Sequence, residues 1–234
     1  MNSDKDFKSY LLVSPKKIAI LVKEELNPKE IYKKEIFVHT ESNSINLEFL
    51  SHFLDENIFK IEKTFKRFIK NIYLIIDTND FLPIKISIRK KDHNNTIDTK
   101  NLIYLLNEAK DQCQKTLENQ RIVHTTIENY LIDNISYSSL PENKECGNFS
   151  LDIKFICISD KFIKNLENIL KRYHISVNQA VSVEYLNQYF SQNEHKIFDM
   201  AEKIISGCNE NEIIFSNKSS KNKGFFEKFF NLFS

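Results

Sequence analysis

The spacing of apolar positions changes period several times along the chain, and each change marks an element. Residues 16–23 (KKIAILVK) and 33–40 (KKEIFVHT) are short apolar-rich runs with a turn signal, Asn27-Pro28, between them, so they read as the two strands of a hairpin. From 44 to 71 the period lengthens. Leu47, Leu50, Leu54, Ile58, Ile61, Phe65, Phe68 and Ile72 recur every three or four residues, which is one apolar stripe on a long helix. The side-chain oxygen of Ser44 or Asn46 is placed to accept a free N–H at its start.

Residues 72–77 (IYLIID) predict a buried strand, and the alternating 82–90 a half-buried one, with Pro83 tolerable near a strand end. Helical spacing returns over 97–119 through Leu102, Leu105, Leu106, Ala109, Cys113 and Leu117. A strand follows at 121–133, then a polar loop with Pro141 and Gly147, then a strand at 151–158. Ser159 or Asp160 caps a helix running to Tyr173, with Phe162, Ile163, Leu166, Ile169 and Leu170 inward; further helices are predicted over 180–191 and 194–206. Strands and helices mixed in this order, with antiparallel hairpins, give an α/β (α+β) fold class.

After Gly207 the pattern fades. Residues 207–223 are polar and low in complexity apart from Ile213, Ile214 and Phe215, and read as a flexible tether. The last eleven residues, 224–234 (GFFEKFFNLFS), are different again. On a helical wheel Phe225, Phe226, Phe229, Phe230, Leu232 and Phe233 fall within an arc of roughly 160°, with Glu227, Lys228, Asn231 and Ser234 opposite. Such a helix lies in a membrane interface with its apolar face down, and Lys221, Lys223 and Lys228 favour an anionic leaflet. The alternatives are a tail docked on the protein's own core and a helix laid in a partner's groove.

Composition narrows the function classes. The chain has 234 residues with 41% hydrophobic and 28% charged, enough for a sizeable core without metals or disulfides. A formal net charge of +1 gives no basic excess of the kind nucleic-acid binding calls for. Gly147, Gly207 and Gly224 are the only glycines, and they stand too far apart to build a phosphate cradle. Cys113, Cys146, Cys157 and Cys208 form no CxxC pair and follow a polar N-terminus, so free thiols in a reducing cytosol are expected. No His pairs with another ligand type at zinc spacing, and no triad or Walker spacing occurs. No catalytic, metal-binding or cofactor-binding residue is therefore assigned. Asp77, at the end of IYLIID, can hold Mg²⁺ or act as a base, but the following Thr-Asn-Asp favours an Asx turn, and His124 reads as a packing histidine.

The stretch Arg121-Ile-Val-His124-Thr-Thr-Ile127-Glu-Asn-Tyr130-Leu-Ile-Asp133 resembles a motif of the bacterial cell-division FtsA family, within the actin-like ATPase superfamily, with Ile127 where the family has Pro. Residues 153–158, the following helix and His174-Ile-Ser-Val177-Asn178-Gln179 resemble that family's strand, helix and Gly-Leu-x-Val-Asp-Gln turn, with His174 for Gly and Asn178 for Asp. Asn71 to Ile76 resembles a strand leading into the family's inserted subdomain, and Gly147 is counted with the motif positions. The resemblance implies a partial actin-like subdomain 1A at 1–80, a strand–helix–strand–strand insert (1C) at 81–178, returning helices at 179–206, the tether at 207–223 and a membrane-targeting helix at 224–234.

The departures from the family pattern are as informative. Where the family carries an acid and a Gly in its first phosphate loop, this chain has Leu12, Val13, Ser14 and Pro15. The second actin-like half, with its phosphate loop and its FtsZ-tail subdomain, has no counterpart here. The resemblance then implies a non-enzymatic adaptor without cofactor, peripheral on the cytoplasmic face of the inner membrane and at mid-cell, binding anionic lipids and division proteins of the FtsA, FtsZ or FtsN kind, self-associating, and binding no nucleic acid. The alternatives are a PilM-like adaptor of a pilus or secretion platform, and a nucleotide-binding protein completed by dimerisation.

Overall fold

The computed structural model describes residues 7–25, 30–39, 43–96, 99–141, 145–190 and 196–215. In chain order they form β1 (Phe7–Val13), β2 (Lys17–Glu24), β3 (Glu30–Phe37), α1 (Leu47–Phe65), β4 (Asn71–Ile76), β5 (Leu82–Thr96), α2 (Thr99–Thr116), β6 (Gln120–Ile132), β7 (Ile135–Tyr137), β8 (Glu145–Ser159), α3 (Asp160–Lys171), β9 (Ser176–Ser182), α4 (Val183–Tyr189) and α5 (Ile197–Ile205). This is a mixed α/β architecture with two sheets and, among the described residues, five helices. The chain divides into two units, one of residues 1–81 and 160–206, the other of residues 82–159 and the segment from Gly207 onward.

The first unit is built on a five-stranded sheet in the order β3-β2-β1-β4-β9. The hairpin β2–β3 and the pair β1–β2 are antiparallel, whereas β1–β4 and β4–β9 are parallel. β2 is buried from Ile18 to Lys23 and β1 from Ser9 to Val13, so both faces of the central strands are covered. One face carries α5. Tyr10 pairs in register with Leu21 and stacks on Tyr73, and its ring meets Phe198 of α5 edge-on. The other face carries α1, since Tyr32, opposite Val22, donates its hydroxyl to Asn57 Oδ1 at 2.7 Å. Leu50, Leu54 and Ile61 of α1 are fully buried, and truncating any of them to Ala would cost about 2–5 kcal/mol.

The second unit is a four-stranded antiparallel sheet in the order β5-β8-β6-β7, with α2 packed on it. Leu102, Leu105, Leu106, Ala109 and Cys113 of α2 meet Ile127, Leu151, Ile153 and Phe155 of the sheet. The Cys113 and Cys157 sulfurs lie 3.9 Å apart as free thiols, and burial raises both thiol pKa values, Cys157 to about 12. β6 and β7 join through Asp133 and Asn134, both at positive φ (49° and 68°), the geometry of a two-residue hairpin turn.

Several expectations are corrected. The helix predicted to 71 stops at Phe65: Lys66 turns left-handed (φ 54°) and its N–H caps Glu62, so Phe68 leaves the stripe and stands 76% exposed. Asn46 is the N-cap, accepting from Phe49 N–H. β1 and β7 have no counterpart in the predicted elements, and Gly147 lies in β8 rather than a loop. The predicted helix 180–191 begins only at Val183, because β9 runs to Ser182. The predicted insert 81–178 ends at Ser159, since α3 and β9 belong to the first unit. Phe162 and Ile169 are half-buried, leaving Ile163, Leu166 and Leu170 as the inward face of α3.

The expected tether is packed where it is described. Asn211 and Ile213 exchange backbone hydrogen bonds with Ile127 and Thr125, Thr126 lies opposite Glu212, and Ile213 enters the second unit's core. The turn at Asn27-Pro28, the tether from 216, and Lys221, Lys223, Phe225, Phe226, Lys228, Phe229, Phe230, Leu232 and Phe233 lie outside the described residues.

Candidate functional site

Ligands of open α/β sheets bind outside the carboxyl ends of the parallel strands. In the first unit those ends are Val13, Ile76 and Ser182, neighbours in register. The polar groups there are engaged with the local backbone. Ser14 N–H donates to Lys17 O at 2.9 Å, Ser14 Oγ donates to the same oxygen at 2.9 Å and Lys17 N–H donates to Ser14 Oγ at 2.8 Å. Pro15 has no N–H, so three of the four residues of this turn offer a phosphate no backbone donor.

Asp77 follows β4, and its N–H donates to Val13 O at 2.9 Å. Partial burial pushes its carboxyl pKa above the ordinary value. The turn after it is closed by Thr78 rather than by Asp77. Thr78 Oγ1 donates to Asp80 Oδ2 at 2.8 Å and accepts Asp80 N–H at 3.3 Å. Ser182 Oγ accepts Tyr185 N–H and caps α4. Among the described residues no group of three His, Cys, Asp or Glu side chains is placed to hold a metal ion.

The motif positions fall in both units. Arg121, His124, Tyr130, Asp133 and Gly147 belong to the second, Val177 and Asn178 to the first. Arg121 is half-buried on β6 opposite Ile158. His124 is buried against Glu212. The Tyr130 hydroxyl lies 3.4 Å from Asn211 Oδ1, and burial moves the phenol pKa up to about 12. Asp133 accepts Gly147 N–H at 3.0 Å and Asn148 N–H at 2.9 Å, pinning the hairpin turn to β8. Val177 is half-buried opposite Ile72, and Asn178 is the exposed extra residue of a β-bulge between Val177 and Gln179. Of these, Asp133 holds backbone, and His124 and Tyr130 are buried in the second unit.

Among the described residues of the first unit there is a groove of about 470 Å³ along α1. Its floor is Ile58 and Ile69, its walls are Phe59 and Phe68 (69% and 76% exposed), and its rim holds Asp55, Glu62, Lys70 and His174. It exists because α1 ends at the left-handed Lys66 and the chain doubles back through Phe68 and Ile69. Glu62 Oε1 fixes that return by accepting Ile69 N–H at 3.2 Å. Tyr173 closes one side, donating to Asp55 Oδ1 at 2.5 Å, and burial together with that carboxylate moves its phenol pKa up to about 12. Sequence reasoning missed the groove, since spacing alone placed Phe68 on the buried stripe.

No family model matches the sequence, and no curated protein matches it. Among solved structures, the cytoplasmic domain of EpsL, an inner membrane component of the type II secretion system of Vibrio cholerae, overlaps 76% of this chain and 58% of that chain at 12% identity and TM-score 0.36. A PilM–PilN type IV pilus biogenesis complex overlaps 78% and 49% at 8% identity and TM-score 0.47. A Bacteroides thetaiotaomicron protein with an actin-like ATPase fold and unknown function overlaps 79% and 56% at 12% identity and TM-score 0.33. The chain thus spans about half the length of each. Overlap at these scores assigns neither family nor activity.

Proposed function

We propose that this chain is a non-enzymatic adaptor that joins a membrane-bound protein assembly through its two α/β units and reaches the inner leaflet through residues 224–234. The observation that carries the reading is the closed carboxyl end of the sheet. The Ser14–Lys17 turn spends its donors on itself, and Thr78 and Ser182 are engaged with neighbouring turn and helix groups, so the residues present do not fit a bound nucleoside triphosphate. The exposed apolar groove on α1 supports a role in protein contact. The Phe-rich tail and its lysines support membrane contact.

An assembly of the pilus or secretion-platform kind is the one to test first, because two partial structural neighbours carry names of that kind. A cell-division assembly, with FtsA- or FtsZ-like partners and mid-cell placement, is the second reading; the motif at Arg121 to Asp133 favours it. The test is an N-terminal fluorescent fusion and a deletion strain. An envelope signal, lost pili or secretion and normal division support the first reading. A mid-cell band with filamentous cells supports the second. Saturable binding of labelled ATP with Mg²⁺ at micromolar concentration overturns the non-enzymatic part.

A further inference from the structure

We infer that the α1 groove is the face through which two copies of this chain pair, their α1 helices running antiparallel across a two-fold axis at Phe59. The inference goes beyond the adaptor reading and requires neither the membrane anchor nor a particular assembly. Phe59 and Phe68 are 69% and 76% exposed on either side of a floor of Ile58 and Ile69, and a groove of about 470 Å³ has room for an aromatic ring from outside. In a two-fold contact the same patch serves as knob and as hole, so Phe59 of each copy enters the groove of the other. Asp55, Phe59 and Lys63 are all exposed on α1, and their i, i+4, i+8 spacing makes one of the ridges by which helices interlock.

The charges select a second copy over an unrelated partner. A groove made for an acidic or a basic ligand carries one sign on its rim, whereas this rim carries Asp55 and Glu62 together with Lys70. Along α1 the signs separate. Glu48, Asp55 and Glu56 lie in its N-terminal half, and Lys60, Lys63 and Lys66 lie towards its end; Glu62, the exception, accepts Ile69 N–H. Two such helices laid parallel set like charge against like, and laid antiparallel they set acid against base. With the axis at Phe59, Asp55 of each copy comes beside Lys63 of the other, since the two stand four residues to either side of it. Tyr173 orients the Asp55 carboxylate for this by donating to its Oδ1 at 2.5 Å.

Sedimentation equilibrium of the full-length protein in buffer measures the pairing. A monomer–dimer equilibrium is expected, and Phe59→Asp, at an exposed site that leaves the fold intact, abolishes the dimer. Asp55→Lys and Lys63→Asp each weaken it by roughly three- to thirtyfold, because each replaces two unlike pairs across the contact by two like ones. An equal mixture of these two variants restores the dimer, since every pair between a copy of one and a copy of the other is again of unlike sign. Damage to the fold of either variant is not repaired by mixing, so the rescue reads the contact itself. A dimer that survives Phe59→Asp overturns the inference, as do two weakened variants whose mixture stays weak. A protein that remains monomeric up to roughly 0.5 mM also overturns it and leaves the groove to a different partner.

Discussion

His124 Nδ1 lies 2.6 Å from Glu212 Oε1, with the side chains 0% and 6% exposed. The contact joins β6 to a segment that by composition belongs to a tether, and it explains why that segment stays on the sheet. Thr125 and Ile127 bond to the backbone of Ile213 and Asn211, completing the part of the β6 edge that β7 does not reach. Replacing Glu212 by Ala removes the carboxylate partner of a buried imidazole, a loss of about 1–3 kcal/mol. The loss is local, so hydrogen exchange at the Ile127 and Ile213 amides accelerates by roughly five- to 150-fold while the β6–β8 ladder amides keep their rates. Unchanged exchange at both amides would show that the strap is held by Ile213 alone.

The elements easiest to read from the sequence are those whose burial is periodic. α1, α2 and α3 carry apolar residues every three or four positions, and β2 and β4 are short apolar runs, so their presence follows from local pattern. β1 escapes because Ser9 and Tyr10, polar by type, are buried at its centre. β9 escapes because an edge strand of Ser, Asn and Gln needs only its partner's ladder, and its bulge at Asn178 breaks the alternation. The end of α1 escapes because the left-handed position is filled by Lys66 instead of Gly. The groove depends on that stop, so it was hidden with it. The packing of Glu212 and Ile213 depends on residues more than eighty positions away, which no local window contains.

Ser9 offers a stability prediction of opposite sign. Its hydroxyl is buried in β1 opposite Val22 and has no hydrogen-bond partner among the described residues. A buried unpaired hydroxyl carries a desolvation cost of about 1–3 kcal/mol that nothing offsets. Ser9→Ala removes the oxygen and leaves a void smaller than a methyl group. Urea unfolding is expected to show equal or higher stability, by up to about 1 kcal/mol. A clear loss on Ser9→Ala would mean that the hydroxyl finds a water.

The tail makes a prediction about membranes. A carboxylate at Phe229 or Phe230 sits on the apolar face of the predicted helix, and burying it costs several times what one Phe contributes, which is about 2–3 kcal/mol. Phe229→Glu and Phe230→Glu are each expected to abolish pelleting with phosphatidylglycerol vesicles. Lys228→Ala on the polar face weakens it by about 1 kcal/mol, an effect that disappears at high salt. Pelleting of Phe230→Glu at the unaltered level would exclude the anchor.

Lys23 decides how α5 is held on the sheet. Its side chain is 6% exposed, and its ammonium donates to Asp199 at 2.7 Å and Glu202 at 2.9 Å. Burial pulls the Lys23 pKa down, but the hydrogen bonds and charge of the two acids outweigh it and hold it above the ordinary value. A raised pKa means the folded state holds the proton more tightly than the unfolded chain. The contribution is therefore fully present below the unfolded lysine value of about 10.4 and is lost as pH rises through the higher folded value. Lys23→Met keeps the stem's packing and releases two acids that are 44% and 30% exposed and so regain water. The cost is then less than for a fully buried pair, about 1–2 kcal/mol at neutral pH. Thermal unfolding of the two proteins between pH 7 and 11 checks both parts. The unaltered protein should lose its advantage over Lys23→Met only at the alkaline end, and an advantage that vanishes between pH 7 and 9 would show that another group titrates at this contact.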